Sequence, residues 1–178
     1  MFSWKFSSHT NKQLINLALG GYYTFIGILL LAMYFYPGST HNDKTTLTFS
    51  LTHNFLSDLG LTIVYSGAQN FISSTLFAFA TIAVCVGLIT YFLVMPSIVN
   101  SGKFSLRLSQ IGSIVGMLCG LAFMGVGFTP YNYYPDGHMF VVKLGFQLFL
   151  AVMLLHSIAI MKNEVGLSKK LVWIYVIF

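Results

Sequence analysis

Carboxylates are nearly absent from this chain. Four of its 178 residues are acidic and nine are Lys or Arg, so only 7% carry charge. A soluble domain carries about 25%, and water does not solvate a surface this poor in charge, so the solvent is lipid. No run of Lys and Arg with interleaved aromatics occurs, which argues against nucleic acid as a partner despite the formal net charge of +5. The two cysteines, Cys85 and Cys119, both fall inside apolar runs and read as small buried hydrophobes rather than a disulfide or a metal pair. Strong catalytic motifs are missing too: there is no H-E-x-x-H, C-x-x-C, G-x-S-x-G, Walker loop or post-strand G-x-G-x-x-G.

What the chain does have is apolar length. It is 56% hydrophobic and 16% aromatic, with mean hydropathy +0.79. A spanning helix needs roughly 20 residues, and four runs supply them: about 14–36, 72–94, 108–128 and 139–161. The first is stopped by "PGST", the second by Pro96, the third by Pro130. The fold class is therefore all-α, a polytopic transmembrane bundle forming one domain over 1–178, with four spanning helices and the start of a fifth at Leu171. The eight residues Leu171 to Phe178 rise only about 12 Å as helix, so this run is expected to be the beginning of a further span whose remainder is absent. The first run exceeds the apolar core of a signal peptide and lacks an A-x-A-like site, so it is expected to be retained. Gly112, Gly116 and Gly120, and Ser105, Ser109 and Ser113, recur at four-residue spacing. Small residues so placed let helices approach closely and are the candidate helix–helix contacts, with a substrate groove as the other reading.

Basic residues set the orientation. Seven of the nine (Lys5, Lys12, Lys103, Arg107, Lys162, Lys169 and Lys170) fall on the side that receives the N-terminus. The 37–71 connector has only Lys44, and Lys143 lies within the fourth helix. The positive-inside rule then predicts a multi-pass protein of the cell membrane with a cytoplasmic N-terminus. Asp43, Asp58 and Asp136, with His41, His53 and His138, fall on the outer side, and only Glu164 on the inner.

The stretch "THNFLSDLG" (52–60) concentrates His53, Asn54, Ser57 and Asp58 in surroundings too apolar for a free loop. A short interfacial helix or re-entrant piece is expected there, with Asn54 and Asp58, four apart, on one face. A carboxylate at the edge of hydrocarbon is costly unless paired, so Asp58 and His138 are expected in one outer cluster, supported by Asn54, Ser57, Asn70 and Lys143. Asp58 and His138 are the catalytic candidates. A zinc site needs three protein ligands, and His53, Asp58 and His138 are the ones considered. Each also has a structural reading: Asp58 as a helix cap or partner of Lys143, His138 bonded to a connector carbonyl, His41 and His53 solvated, His156 an interhelical hydrogen-bonder, Lys143 snorkelling, and Tyr131, Tyr133 and Tyr134 an interfacial belt.

"NFLSDLG" at 54–60, "NFISSTLF" at 70–77 and "GVGFTPYNYYPDGHMF" at 125–140 resemble the domain of unknown function 998 family of prokaryotic multi-helix membrane proteins. The matching positions are Ser57, Asp58, Leu59, Gly60, Asn70, Gly127, Pro130 and His138. The chain is also distantly similar to the damage-regulated autophagy modulator group. The resemblance implies a bundle of about six helices, two more than this chain carries, and a shortlist of polar positions; it implies no reaction. Three function classes stand: a membrane scaffold or interaction protein locked by an outer polar cluster, a membrane-embedded hydrolase acting on lipid with or without metal, and a small-solute transporter. Membrane lipid is the expected partner throughout.

Overall fold

The computed structural model describes residues 6–163 and 168–173. Four long helices dominate: α1 (Ser8–Tyr34), α2 (Phe71–Ile98), α3 (Lys103–Phe128) and α4 (Pro135–Met161). All four are long and apolar enough to cross a membrane. At 1.5 Å per residue each spans about 40 Å, against roughly 30 Å of hydrocarbon, so the ends reach the polar zones. The architecture is an all-α bundle, that of a multi-pass membrane protein. Among the described residues β structure is limited to one isolated bridge, Ile63 with Gln69.

The helices outrun the apolar stretches that mark them. α1 starts at Ser8, where the Ser7 hydroxyl caps it by accepting from the Thr10 amide at 3.1 Å. α4 starts at Pro135, a residue suited to the first turn because its missing N–H would be unpaired there anyway. Pro96 does not stop α2, which continues to Ile98. It sits in the last turn, so it removes one backbone bond near an end, and the Val99 amide closes the helix on the Met95 carbonyl at 2.8 Å. Hydrophobicity reports only the part of a helix immersed in hydrocarbon, which is why the flanks escape it. Most of the fifth apolar run, residues 174–178, lies outside the described residues, as do Lys5 and Glu164.

Each helix packs on its neighbour in sequence. The contacts depend on small residues. A Cβ on Gly21 of α1 would lie 2.8 Å from the Gly87 backbone of α2, so these two helices cross backbone to backbone. Gly112 lies against His156, Gly116 against Phe92 and Gly120 against Leu88, so the glycine stripe of α3 is spent inside the bundle. Ser105 of the parallel stripe donates to the Ala159 carbonyl of α4 at 2.8 Å. Cys85 and Cys119 are buried and unbridged, and Cys119 Sγ lies 3.3 Å from the Gly145 carbonyl.

Side-chain bonds show which ends lie together. Asn132, between α3 and α4, joins Thr62 in the 35–70 connector, its Oδ1 accepting from the Thr62 amide at 3.1 Å and its Nδ2 donating to the hydroxyl at 2.7 Å. At the opposite end, Ser97 donates to Asn11 at 3.0 Å and the Ser101 amide to Asn163 at 2.8 Å. The start of α1 therefore shares its side with the 99–102 link and the end of α4, and the 35–70 connector lies on the other, termed here the connector side. One apolar cluster sits at each end: Tyr36, Leu59, Phe77 and Val126 under the connector, and Phe92, Met95, Val152 and Ile160 at the far end.

Candidate functional site: the connector-side cap

The expected helix around 52–60 is reduced to a single 3₁₀ turn, Leu56–Gly60. Turns and bonds to side chains hold the rest of the connector. At its start the backbone enters the left-handed region twice, at Gly38 (φ 92°) and Ser39 (φ 72°). A side chain at 38 would collide with the Thr46 carbonyl, so only glycine fits. The pair folds the chain back so that the Ser39 amide meets that carbonyl at 2.7 Å and the Thr40 amide meets the Asp43 carbonyl at 2.7 Å.

Asp58 is the centre of this cap. Its side chain is 5% exposed, and both oxygens are engaged. Oδ2 accepts from Asn54 Nδ2 and from the Phe55 amide, each at 3.0 Å, and Oδ1 accepts from the Tyr65 hydroxyl at 3.0 Å. Asn54 extends the network, donating to the Ser39 carbonyl at 3.0 Å and accepting from the Ser50 amide at 3.0 Å. Tyr36 donates to the same Ser39 carbonyl at 3.3 Å, and Ser39 Oγ accepts from the Ser66 amide at 3.2 Å. Five segments of connector thus meet around one carboxylate. Charge-assisted bonds of this kind are worth roughly 1.5–3 kcal/mol each. Burial and the nearby Asp58 carboxylate push the Tyr36 phenol up to about 12, and the same two causes raise Tyr65. Both phenols therefore stay protonated, as a donor to a carboxylate or carbonyl must.

Asn70 fastens the cap to α2. Its side chain is 1% exposed, and Nδ2 donates to the carbonyls of Leu59 at 3.0 Å and Leu61 at 2.7 Å. Ser73 adds a bond to the Leu59 carbonyl at 3.3 Å. Gly60 lies against the Phe77 ring, which a Cβ would approach to 2.7 Å.

The anticipated partners of Asp58 are corrected here. Asn54 is one, but His138 and Lys143 form neither a hydrogen bond nor an ion pair with it; among the described residues Asp58 has no cationic partner. Neutral donors suffice because a carboxylate needs its lone pairs filled, and a backbone amide, a carboxamide and a phenol fill them. Lys143 is exposed on α4, where a long side chain reaches the headgroups. His138 is buried, with Nδ1 2.7 Å from the Thr129 carbonyl and its ring edge-on to Tyr131, centroids 5.7 Å apart. A carbonyl only accepts, so Nδ1 carries a proton and donates it to Thr129. His53 is exposed and bonded to the Ser50 and Thr52 hydroxyls at 3.1 and 2.8 Å. Among the described residues no group of three or more His, Cys, Asp and Glu side chains is placed to hold a metal ion, and His53, Asp58 and His138 are not brought together as a ligand set. Ser57 faces an apolar cavity beneath the cap. His41 is exposed, its ring edge-on to Tyr65 at 5.5 Å. Asp136 is exposed in the first turn of α4. His156 is buried among helices, its Nδ1 3.3 Å from the Val152 carbonyl and its ring 5.5 Å from Phe92.

Residues that sequence reasoning passed over carry much of the cap. Tyr65 follows Asp58 by seven residues and looked like the end of an apolar segment. Asn132, inside "YNYY", was hidden by its aromatic neighbours. Comparison with protein families, curated proteins and solved structures finds no match to this chain.

Proposed function

We propose that the protein is a scaffold or interaction protein of the cell membrane, presenting on its connector side a pre-folded polar cap locked by Asp58. The observation that carries this reading is the engagement of both Asp58 carboxylate oxygens by Asn54, the Phe55 amide and Tyr65. A general base needs a lone pair within reach of substrate; here the carboxylate is buried and both of its oxygens already hold the connector. A lipid hydrolase built on Asp58 and His138, or a transporter using them, has correspondingly less support. The resemblance to the domain of unknown function 998 family belongs to the same proposal: its shared positions Asp58, Gly60 and Asn70 are the ones that build and anchor the cap.

Hydrogen exchange tests it. Amides of residues 54–61 should be protected in vesicles, and Tyr65→Phe, which deletes one bond to the carboxylate, should speed their exchange about tenfold, as expected for roughly 1.4 kcal/mol. Chelator or added zinc should leave the pattern unchanged. Exchange at free-peptide rates in the unmodified protein would remove the fixed cap, and protection that depends on metal would favour the hydrolase.

The proposed orientation places the cap outside the cell, following the bias of basic residues toward the other side. Asp43 and Lys103 are both exposed. With impermeant maleimide on intact cells, Asp43→Cys should label and Lys103→Cys should not. The reverse pattern would put the cap in the cytoplasm.

A further inference from the structure

Beneath the cap, a cavity of about 470 Å³ opens between α1 and α4, the first and last of the four long helices, which do not pack on each other as sequence neighbours do. Phe25 of α1 forms one wall and Phe146 of α4 the other, Val84 of α2 and Phe123 of α3 form the back, and Leu56 and Ser57 of the connector close the top. The volume falls within the roughly 300–1,000 Å³ typical of ligand sites. Its α2 wall runs from Phe77 to Leu88, about 16 Å along the helix axis, close to the ~15 Å depth of one leaflet of hydrocarbon.

The lining decides the chemistry. Among the described residues Ser57 and Thr81 supply the only side-chain hydroxyls of the lining, and Thr81 already donates to the Ala78 carbonyl at 2.8 Å. A water there would lack the two to four polar partners it needs. A transmembrane helix does not fit inside the space beneath the connector roof. It is about 10 Å across and must run the full depth of the membrane, whereas the connector roof blocks the upper end. A flexible alkyl chain meets neither obstacle, and it enters sideways from the surrounding leaflet. The aromatic walls offer it broad contact area.

We propose that this cavity is a binding site for one acyl chain of a phospholipid from the connector-side leaflet, with the 55–57 segment as its roof. Occupancy then packs α1 and α4 to each other through the lipid, and the part of the chain nearest its ester lies against the segment that leads directly into Asp58. The site stands independently of the scaffold reading, since it needs only the cavity and the bilayer.

The test is retention. The purified full chain is exchanged through palmitoyl-oleoyl phosphatidylcholine vesicles, re-extracted in mild detergent and weighed intact by native mass spectrometry. One phospholipid per chain is the expected result. Val84→Phe and Val142→Phe, which fill the cavity from two different helices, should each lower the retained fraction at least tenfold, while Ile114→Phe on the exposed face of α3 should not. Circular dichroism confirms which variants remain folded, and the unsubstituted chain alone decides the matter if neither does. A chain with no lipid, with a bound fatty acid, or paired with a second copy overturns the proposal, as does equal retention in a folded cavity-filled variant.

Discussion

Asp58→Ala is expected to destabilise the protein by about 3 kcal/mol, read as the loss in unfolding free energy by denaturant titration in detergent. The substitution removes the acceptor for the Phe55 amide, the Tyr65 phenol and one hydrogen of Asn54. Asn54 keeps its bond to the Ser39 carbonyl, but the other two donors lose their only side-chain acceptor. A hydrogen bond to a charged group is worth about 1.5–3 kcal/mol; both of these are part-buried, so two at the lower end set the figure. Asp58→Asn keeps the shape and one carbonyl oxygen, so it should lose roughly half as much. Lys143→Ala is the decisive control. A carboxylate held by that amine would lose comparable stability with either partner removed. The exposed position of Lys143 instead predicts a change within about 0.5 kcal/mol. A large loss from Lys143→Ala would mean that an ion pair, not the neutral network, holds the cap.

The contrast shows how far the sequence could be read. Four spans were legible because apolar length is a direct requirement of the bilayer, and nothing else accounts for 7% charge. That Asp58 needed compensation was also legible, from its cost beside Phe55, Leu56, Leu59 and Leu61. The identity of the compensating groups was not. A search for a partner naturally looks for opposite charge, and so reached for Lys143 and His138. The connector meets the need with a backbone amide and two neutral side chains, one of which, Tyr65, sits within the Val64–Ala68 turn that contains Gly67 (φ 88°). Backbone donors are the same in every sequence, so they leave no mark in it. His138 could be read only as far as its structural alternative, a bond to a connector carbonyl, which is the bond the ring makes with Thr129. The cavity was illegible for a different reason: it is a gap between helices distant in the chain, with no residue pattern of its own.

Gly21→Leu should be at least as damaging, by about 3 kcal/mol or more, although it exchanges one apolar residue for another in an apolar helix. Regular spacing drew attention to the glycines of α3, whereas the closest backbone approach lies at Gly21 and Gly87, which belong to no repeat. A Cβ at 21 would meet Gly87 Cα and N at 2.8 Å and the Ala83 carbonyl at 2.9 Å. These are backbone atoms of a helix packed on its far side by α3, so they do not yield as a side-chain tip would. Relief requires α1 to move off α2, and α1 has little else to hold it: only 11% of its most apolar stretch is buried, against 44% for α2 and α3. Overpacking typically costs about 1–3 kcal/mol, with more where the surroundings are rigid. The neighbouring Gly20 supplies the control. A Cβ there meets nothing within 4 Å, so Gly20→Leu faces lipid without a clash, and replacing glycine in a helix gains up to about 1 kcal/mol. Two substitutions one residue apart, identical in composition and hydropathy, should therefore change thermal stability in opposite directions in the same detergent. Equal effects at the two positions would mean that α1 does not cross α2 at Gly21 and Gly87.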